Sequence, residues 1–238
     1  MGRCLATLLH DRCDLKVCSR DRHRAEGIAR RGGAKAASVE ECSDRQVVFL
    51  AVPNAALVEV ASRVSRIMPA GSLLVDISSV KCGVVEAVEG VAPAGISYIS
   101  IHPLFASPRA AEKNTIIVPV RPGAWLRPLK GLLEMSGMRL KEAGAEEHDK
   151  AMAAVQVAHH FALLSLRSTL ARMGFAGGKD LESFMTRSLG RTIGVIASLE
   201  KINETIETIQ RENRFSCTAR EIFLEEAKKL DRHYSEEQ

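Results

Sequence analysis

The sequence predicts an α/β domain with a mostly parallel sheet, followed by an all-helical domain. Two observations support this. Up to about Ala143, short apolar runs alternate with helical patterns of about ten to fifteen residues, an order that builds βαβ units. From Glu146 onward no strand pattern occurs, and helical periodicity continues to about Leu230. We therefore expect one domain over residues 1–143 and a second over residues 144–238.

The composition excludes several classes of protein. The 238 residues are 46% hydrophobic and 26% charged, as in ordinary globular domains, and the 4% aromatic content implies an aliphatic core. A net charge of +4 without an aromatic-rich basic face argues against nucleic-acid binding. No apolar run approaches the ~20 residues of a membrane span. Six cysteines without a C-x-x-C pair form neither a zinc pattern nor a disulfide framework, which favours reduced thiols in the cytoplasm.

Periodicity and breakers place the elements in order. In the first domain the sequence predicts helices over 1–9, 22–31, 55–68, 84–91 and 125–135, and strands over 15–18, 46–52, 72–77, 99–102, 115–120 and 138–141. Asn54 is expected to cap the helix after Pro53. In the second domain helices are predicted over 146–173, 180–199, 202–210 and 218–230.

A histidine ends one of the predicted strands. His102 closes a β-branched run and Pro103, which cannot donate to a ladder, follows it. Such a histidine lies at the carboxyl edge of the sheet, where open α/β sheets place their chemistry. We interpret His102 as the catalytic group of a nicotinamide-dependent dehydrogenase. The alternative is a strand-end residue that faces water.

Part of a dinucleotide-binding pattern opens the chain. Gly2 stands where the third glycine of such a turn belongs, and Ser19-Arg20 follows 17 to 18 residues later, at the end of the next strand. A Ser and an Arg in place of an acidic residue favour a 2′-phosphate, so we expect NADP to be preferred over NAD. A solvated basic helix start is the alternative, and Asp21 could still reach the ribose.

Two further strand ends carry candidate contacts. Val52-Pro53 and Ser78-Ser79 follow predicted strands and therefore lie on the cofactor side of the sheet. The serine hydroxyls could bind the nicotinamide or a substrate, or they could cap the next helix.

The predicted second domain carries histidines and arginines on apolar helices. His160 lies one turn after Gln156 and could contact an anionic substrate, although a core role is the alternative. The spacing of His148 and His160 does not match a metal motif, so no metal is expected. Arg187 and Arg191, one turn apart, could pair with a substrate carboxylate or could be a surface pair.

These segments, in this order, resemble the prephenate dehydrogenase family. The resemblance covers nearly the whole chain and is carried by Met1-Gly2, V-F-L-A-V-P (Val48–Pro53), D-I-S-S-V-K (Asp76–Lys81), I-H-P-L-F (Ile101–Phe105), H-D-K-A-M-A-A-V-Q-V-A-H-H-F (His148–Phe161) and Gly190-Arg191. It implies a Rossmann-like domain, oxidative decarboxylation of prephenate to 4-hydroxyphenylpyruvate on the way to tyrosine, and a homodimer built through the helical domains.

The resemblance also implies roles for individual residues. His102 would bond the 4-hydroxyl of the substrate ring and take its proton, and Ser79 would bond the same hydroxyl. Arg191 would bind a substrate carboxylate. His160 and His148 would support substrate binding, and His148 would lie at the start of the interdomain helix.

The sequence departs from the family pattern at two places. Ala106-Ser107 stands where the family usually has a glycine, and the first strand with its two leading glycines is not found. Without that strand, the strands near Val17 and Val48 lose a shared neighbour. A misplaced start, a fragment or a poor cofactor binder would each account for this. Alternative functions are an arogenate dehydrogenase, a related NADP-dependent reductase, or a non-catalytic dimer module.

Overall fold

The computed structural model describes residues 1–31, 33–175 and 179–236. The chain divides into two compact units, Met1–His148 and Asp149–Gln238. The domain boundary that the sequence predicts, after residue 143, stays a prediction.

In its described residues the first unit contains seven strands and the helices that cover them. The strands are β1 (Lys16–Val17), β2 (Lys35–Ala36), β3 (Val47–Leu50), β4 (Leu73–Asp76), β5 (Ser97–Pro103), β6 (Asn114–Arg121) and β7 (Arg139–Glu142). The helices are α1 (Gly2–Leu9), α2 (Arg22–Arg31), α3 (Val39–Ser43), α4 (Asn54–Ser65), α5 (Cys82–Val91) and α6 (Leu126–Met135), with a 3₁₀ turn at Gly123–Trp125.

The strands form two separate sheets. Five of them stand in the order β3-β4-β5-β6-β7, and all neighbours in it are parallel except the antiparallel pair β5 and β6. A second, two-stranded parallel sheet joins β1 and β2. The prediction of a mostly parallel α/β sheet is therefore confirmed, and within the described residues β1 and β3 share no neighbouring strand.

Helices cover both faces of the five-stranded sheet, which is why β4 is buried along its whole length. Leu73 and Val75 face a core that includes Leu5 and Leu9 of α1. Leu74 points to the opposite face, onto residues of α4 and α5. This alternation with a period of two fixes which strand-end side chains share a face.

Two local predictions were wrong, and two short elements were not predicted. β2 and α3 were not predicted: both β2 residues are exposed, and α3 has only five residues, although Ser38 and Glu41 form the capping box that starts it. Asn54 is the first residue of α4 and Pro53 precedes it as the N-cap, so Asn54 is not the cap. The helix predicted from 180 to 199 is broken, because Thr186 caps a new helix at Arg187 after a 3₁₀ segment.

The described part of the second unit is entirely helical. The helix α7 (Ala145–Met152) crosses the boundary between the units and continues through a π-helical segment, Ala153–Ala158, into α8 (His159–Arg172). It is followed by the 3₁₀ segment Lys179–Phe184 and by α9 (Arg187–Glu200), α10 (Asn203–Glu212) and α11 (Ser216–Glu236). No helix among the described residues is both long and apolar enough to cross a bilayer.

One buried asparagine ties three of these helices together. The side-chain amide of Asn213 donates to the carbonyl of Asp149 (2.8 Å), and its Oδ1 accepts the N–H of Phe215 (2.9 Å). It joins the turn between α10 and α11 to the chain at Asp149.

Candidate active site

The carboxyl ends of β3, β4 and β5 meet at one edge of the sheet. Leu50 is in register with Asp76, and Asp76 is in register with Ser100. His102 lies two residues further along β5, so it extends past the ends of its parallel neighbours. This is the edge at which open α/β sheets bind their ligands.

A buried ion pair lies beneath this edge. Asp76 and Lys81 are both 0% exposed, with Lys81 Nζ 3.7 Å from Asp76 Oδ1. Lys81 Nζ also donates to the Ser78 carbonyl (2.8 Å), the Ser100 hydroxyl (2.7 Å) and the Ile101 carbonyl (2.7 Å). These bonds tie the start of α5 to β5 immediately before His102.

The carboxylate of the pair is also fully hydrogen-bonded. Asp76 Oδ1 accepts the N–H (2.8 Å) and hydroxyl (2.5 Å) of Ser78, and Oδ2 accepts the Tyr98 hydroxyl (2.7 Å). Burial by itself would raise the pKa of Asp76, but the charge of Lys81 and the hydrogen bonds outweigh it and lower that pKa. Asp76 is therefore ionised near neutral pH.

His102 is buried rather than exposed to water. Only 4% of it is accessible, and its Nδ1 lies 2.9 Å from Nε2 of His148. Burial, then the charge of Lys81, then His148 lower the pKa of His102 well below 6.5. The imidazole is thus neutral at pH 7, and the alternative of a water-facing strand end is wrong.

His148 reaches His102 from the first turns of α7. That helix begins at Ala145, and His148 is itself only 2% exposed. Its acidic neighbours Glu146 and Glu147 are exposed, and Glu147 pairs with Lys141 instead (2.9 Å). The structure therefore brings together two of the predicted site residues, 46 positions apart.

Three of the residues predicted to bind the nucleotide lie at the carboxyl end of β3. Val52 and Pro53 follow β3. Gly2 opens α1, and a Cβ on Gly2 would lie 2.8 Å from the Cβ of Ala51, so only glycine lets α1 begin this close to the end of β3. This close approach fits the third glycine of a dinucleotide-binding turn, and Gly2 with the start of α1 could hold a pyrophosphate.

Ser19 and Arg20 lie between β1 and α2. Ser19 is half-buried and Arg20 is exposed. Asp21 accepts the N–H of Arg24 (3.2 Å), as a helix-capping aspartate does.

Ser78 and Ser79 differ in their surroundings. Ser78 is buried in hydrogen bonds to Asp76, so it supports the ion pair, and Lys81 rather than either serine is the N-cap of α5. Ser79 is half-buried beside it.

The remaining candidates belong to the second unit. His160 is buried, and burial lowers its pKa below 6.5. His160 Nδ1 and Gln156 Oε1 are both buried and have no hydrogen-bond partner among the described residues. Arg187 and Arg191 are exposed residues of α9, one turn apart.

Sequence reasoning missed the role of Lys81 and the pairing of the two histidines. Lys81 was part of the resembling segment, but no function was attached to it. An aspartate inside an apolar strand with a lysine five positions later was the available signal, since a buried carboxylate needs a partner. The sequence contains no comparable signal for the contact between His102 and His148.

Comparison with known proteins agrees with this geometry. Residues 5–116 match the family model described as the nucleotide-binding domain of prephenate dehydrogenase. A probable arogenate/prephenate dehydrogenase of Methanocaldococcus jannaschii is 25% identical over 93% of this chain and 55% of that protein. A 4-amino-4-deoxyprephenate dehydrogenase of Streptomyces pristinaespiralis is 32% identical over 58% of this chain and 46% of that protein. The chain thus spans about half the length of either relative.

Solved structures share the fold. An arogenate dehydrogenase of Synechocystis superposes with a TM-score of 0.77 at 17% identity, over 100% of this chain and 89% of that chain. A prephenate dehydrogenase of A. aeolicus, in complex with hydroxyphenyl propionate and NAD+, gives 0.78 at 18% identity, over 100% and 88%. Residues 5–116 are thus similar to the nucleotide-binding domain of the prephenate dehydrogenase family, and the whole chain shares the fold of these solved structures.

Proposed function

We propose that this protein catalyses the oxidative decarboxylation of prephenate to 4-hydroxyphenylpyruvate, with hydride transfer to NAD or NADP. The observation that carries the proposal is His102, a buried and neutral imidazole at the carboxyl edge of a nucleotide-binding sheet. Arogenate is the second candidate substrate, because the name of the Methanocaldococcus relative includes it.

For this reaction the protein mainly has to orient the substrate and to accept one proton. When bound, the nicotinamide ring supplies the hydride acceptor. His102 accepts the proton of the ring hydroxyl as its O–H bond breaks, and a neutral imidazole is a suitable base near pH 7. When carbon dioxide leaves, the electron pair of the broken C–C bond stays in the ring, which becomes aromatic. The protein therefore has mainly to hold the ring in place.

Other residues take supporting roles in the proposal. Ser79 bonds the same hydroxyl as His102. In the second unit Arg191, with Arg187 one turn before it, binds a substrate carboxylate, and His160 contacts the substrate. Within the part of the chain that the structure describes, Nδ1 of buried His160 has no hydrogen-bond partner, and a buried polar atom in that state supports the binding of a ligand. The helical units pair to form a homodimer.

Between β1 and α2, the side chains favour NADP as the cofactor. Asp21 is engaged as the cap of α2, which leaves Ser19 and exposed Arg20 to receive a 2′-phosphate. Initial rates with each coenzyme at saturating substrate give the two Michaelis constants. A lower constant for NAD would reverse this preference.

The proposal predicts a large effect at His102. His102→Asn retains an amide near the Nδ1 position but removes Nε2, so turnover should fall by roughly two to four orders of magnitude, whereas cofactor affinity is unchanged. Turnover is measured with prephenate and with arogenate, and affinity by nucleotide titration. The exposed His233, changed to Asn, is the matched control.

Two outcomes would contradict the proposal. Unchanged turnover in His102→Asn would remove His102 from its role. No binding of NAD or NADP at millimolar concentration would favour a non-catalytic module instead.

A further inference from the structure

The contact between His102 and His148 admits two proton arrangements. Nδ1 of His102 faces Nε2 of His148 at 2.9 Å, with ring centroids 5.1 Å apart and a tilt of 56° between the rings. A neutral imidazole has one N–H and one bare nitrogen, so one ring must donate and the other accept. The two arrangements leave different atoms of His102 available.

Only one arrangement leaves His102 able to accept a proton. If His148 donates, the proton of His102 lies on Nε2, and no lone pair remains for a substrate. If His102 donates through Nδ1, its Nε2 carries the free lone pair. A general base therefore needs His148 as the acceptor.

The surroundings of His102 keep its ring neutral at rest. The buried ammonium of Lys81, bonded to the Ile101 carbonyl one residue before His102, opposes a positive charge there. Asp76 pairs with that ammonium, and its carboxylate also accepts hydrogen bonds from Ser78 and Tyr98. Asp149 follows His148 and is also buried. An imidazolium formed transiently at His102 needs a hydrogen-bond acceptor near its Nδ1–H, and Nε2 of His148 lies at that position.

We propose that His148 is a positioning residue that holds His102 in its Nδ1–H tautomer. The second half of the inference rests on the proposed function: as the substrate O–H bond breaks, an N–H bond forms at His102 Nε2. The Nδ1–H bond to His148 then becomes charge-assisted and spreads the new charge over both rings. When carbon dioxide leaves, the ring oxygen becomes a phenolate that takes this proton back, so His102 is neutral again and no net proton is released. This replaces the sequence-based assignment of His148 to substrate binding.

The tautomer can be measured without substrate or cofactor. Long-range ¹H–¹⁵N NMR of the full chain, labelled at histidine, distinguishes protonated from bare ring nitrogens, and His102→Asn identifies the His102 signals. We expect a protonated Nδ1 and a bare Nε2 on His102. A proton on Nε2 in the unaltered protein would overturn the inference, and this result needs no variant at His148 to fold.

Two variants of His148 distinguish the effect of its hydrogen-bond acceptor from the effect of its side-chain volume. His148→Gln keeps an acceptor oxygen near the Nε2 position, whereas His148→Leu fills space without one. His102 should keep its tautomer in His148→Gln and acquire Nε2 protonation in His148→Leu. An unchanged tautomer in His148→Leu would also overturn the inference. His233→Leu, at an exposed histidine of α11, is the control.

Kinetics provide the second readout. In His148→Leu, kcat should fall about tenfold or more, within the roughly 10⁴-fold limit of losing a general base, and KM should change less than about twofold. His148→Gln should recover most of kcat. If KM in His148→Leu rose by as large a factor as kcat was expected to fall, His148 would instead be assigned to substrate binding. If the unaltered protein oxidises neither prephenate nor arogenate, the proposed function fails while the tautomer result still stands.

Discussion

At the scale of single residues, Lys81 shows how two buried charges are retained at the sheet edge. Taking an ammonium and a carboxylate out of water costs more than their attraction returns unless their hydrogen bonds are satisfied. Lys81 Nζ bonds two carbonyls and a hydroxyl, and Asp76 accepts from Ser78 and Tyr98. Because these partners belong to β4, β5 and the start of α5, the pair fixes the backbone beneath His102.

Breaking this pair should destabilise the protein strongly. Lys81→Met leaves the Asp76 carboxylate buried without its counter-charge, and we expect a loss of about 3–5 kcal/mol in the free energy of unfolding. Urea denaturation at pH 7 measures it. Lys229→Met, in the exposed pair with Glu226, is the control and should change little. A similar small effect in both variants would refute the structural role given to Lys81.

At the scale of elements, the start of α1 is set by its contact with the end of β3. A helix can open this close to a strand end only where no Cβ intervenes, and Gly2 meets that condition. The same packing places Leu5 and Leu9 of α1 in the core with β4. The position of the helix N-terminus is thus coupled to core packing.

A methyl group at Gly2 should disturb both the position of the N-terminus of α1 and the packing of the core. In Gly2→Ala the added Cβ would lie 2.8 Å from that of Ala51, so α1 must shift, and such overpacking costs about 1–3 kcal/mol. We expect weaker nucleotide binding and a lower Tm, measured by titration and calorimetry. Gly90→Ala, at a position of α5 with open space around it, should leave binding unchanged and stability equal or higher. Equal effects of the two substitutions would contradict the close-packing argument.

At the scale of the whole molecule, each unit carries a buried histidine that resists protonation. Burial lowers the pKa of both His102 and His160 below 6.5. In the unfolded chain these residues bind protons as the pH falls through 6.5, whereas in the folded protein they do not yet. The unfolded state therefore gains protons first, and folding stability is lost as the pH falls below 6.5.

Stability should accordingly decline between pH 7 and pH 5. The slope is at most about 1.4 kcal/mol per pH unit for each histidine. Denaturant unfolding at several pH values measures the slope, and His102→Asn should make it shallower, since one such group is gone. Asp76, whose pKa is lowered, adds a further loss only below the ordinary aspartate value of 3.8. A slope unchanged by His102→Asn would show that His102 is not buried as described.

The sequence by itself determined the order of strands and helices, the place of His102 at a strand end and the glycine that opens α1. These features follow from local patterns, because periodicity and breakers report how each segment meets the core. Even so, the exposed two-residue strand β2 carried no periodic pattern and was missed. The local pattern also could not say whether His102 faces water or protein.

Only the tertiary structure decided the contacts that give these residues their chemistry. His148 lies 46 positions from His102, and Lys81 reaches Ser100 across 19 positions. Such contacts depend on strand register and on how α5 and α7 meet the sheet, which no short segment encodes. The same holds for the separation of β1 from β3 into two sheets. The chain thus specifies its elements locally, whereas the neutral, paired state of His102 arises from residues that folding brings together.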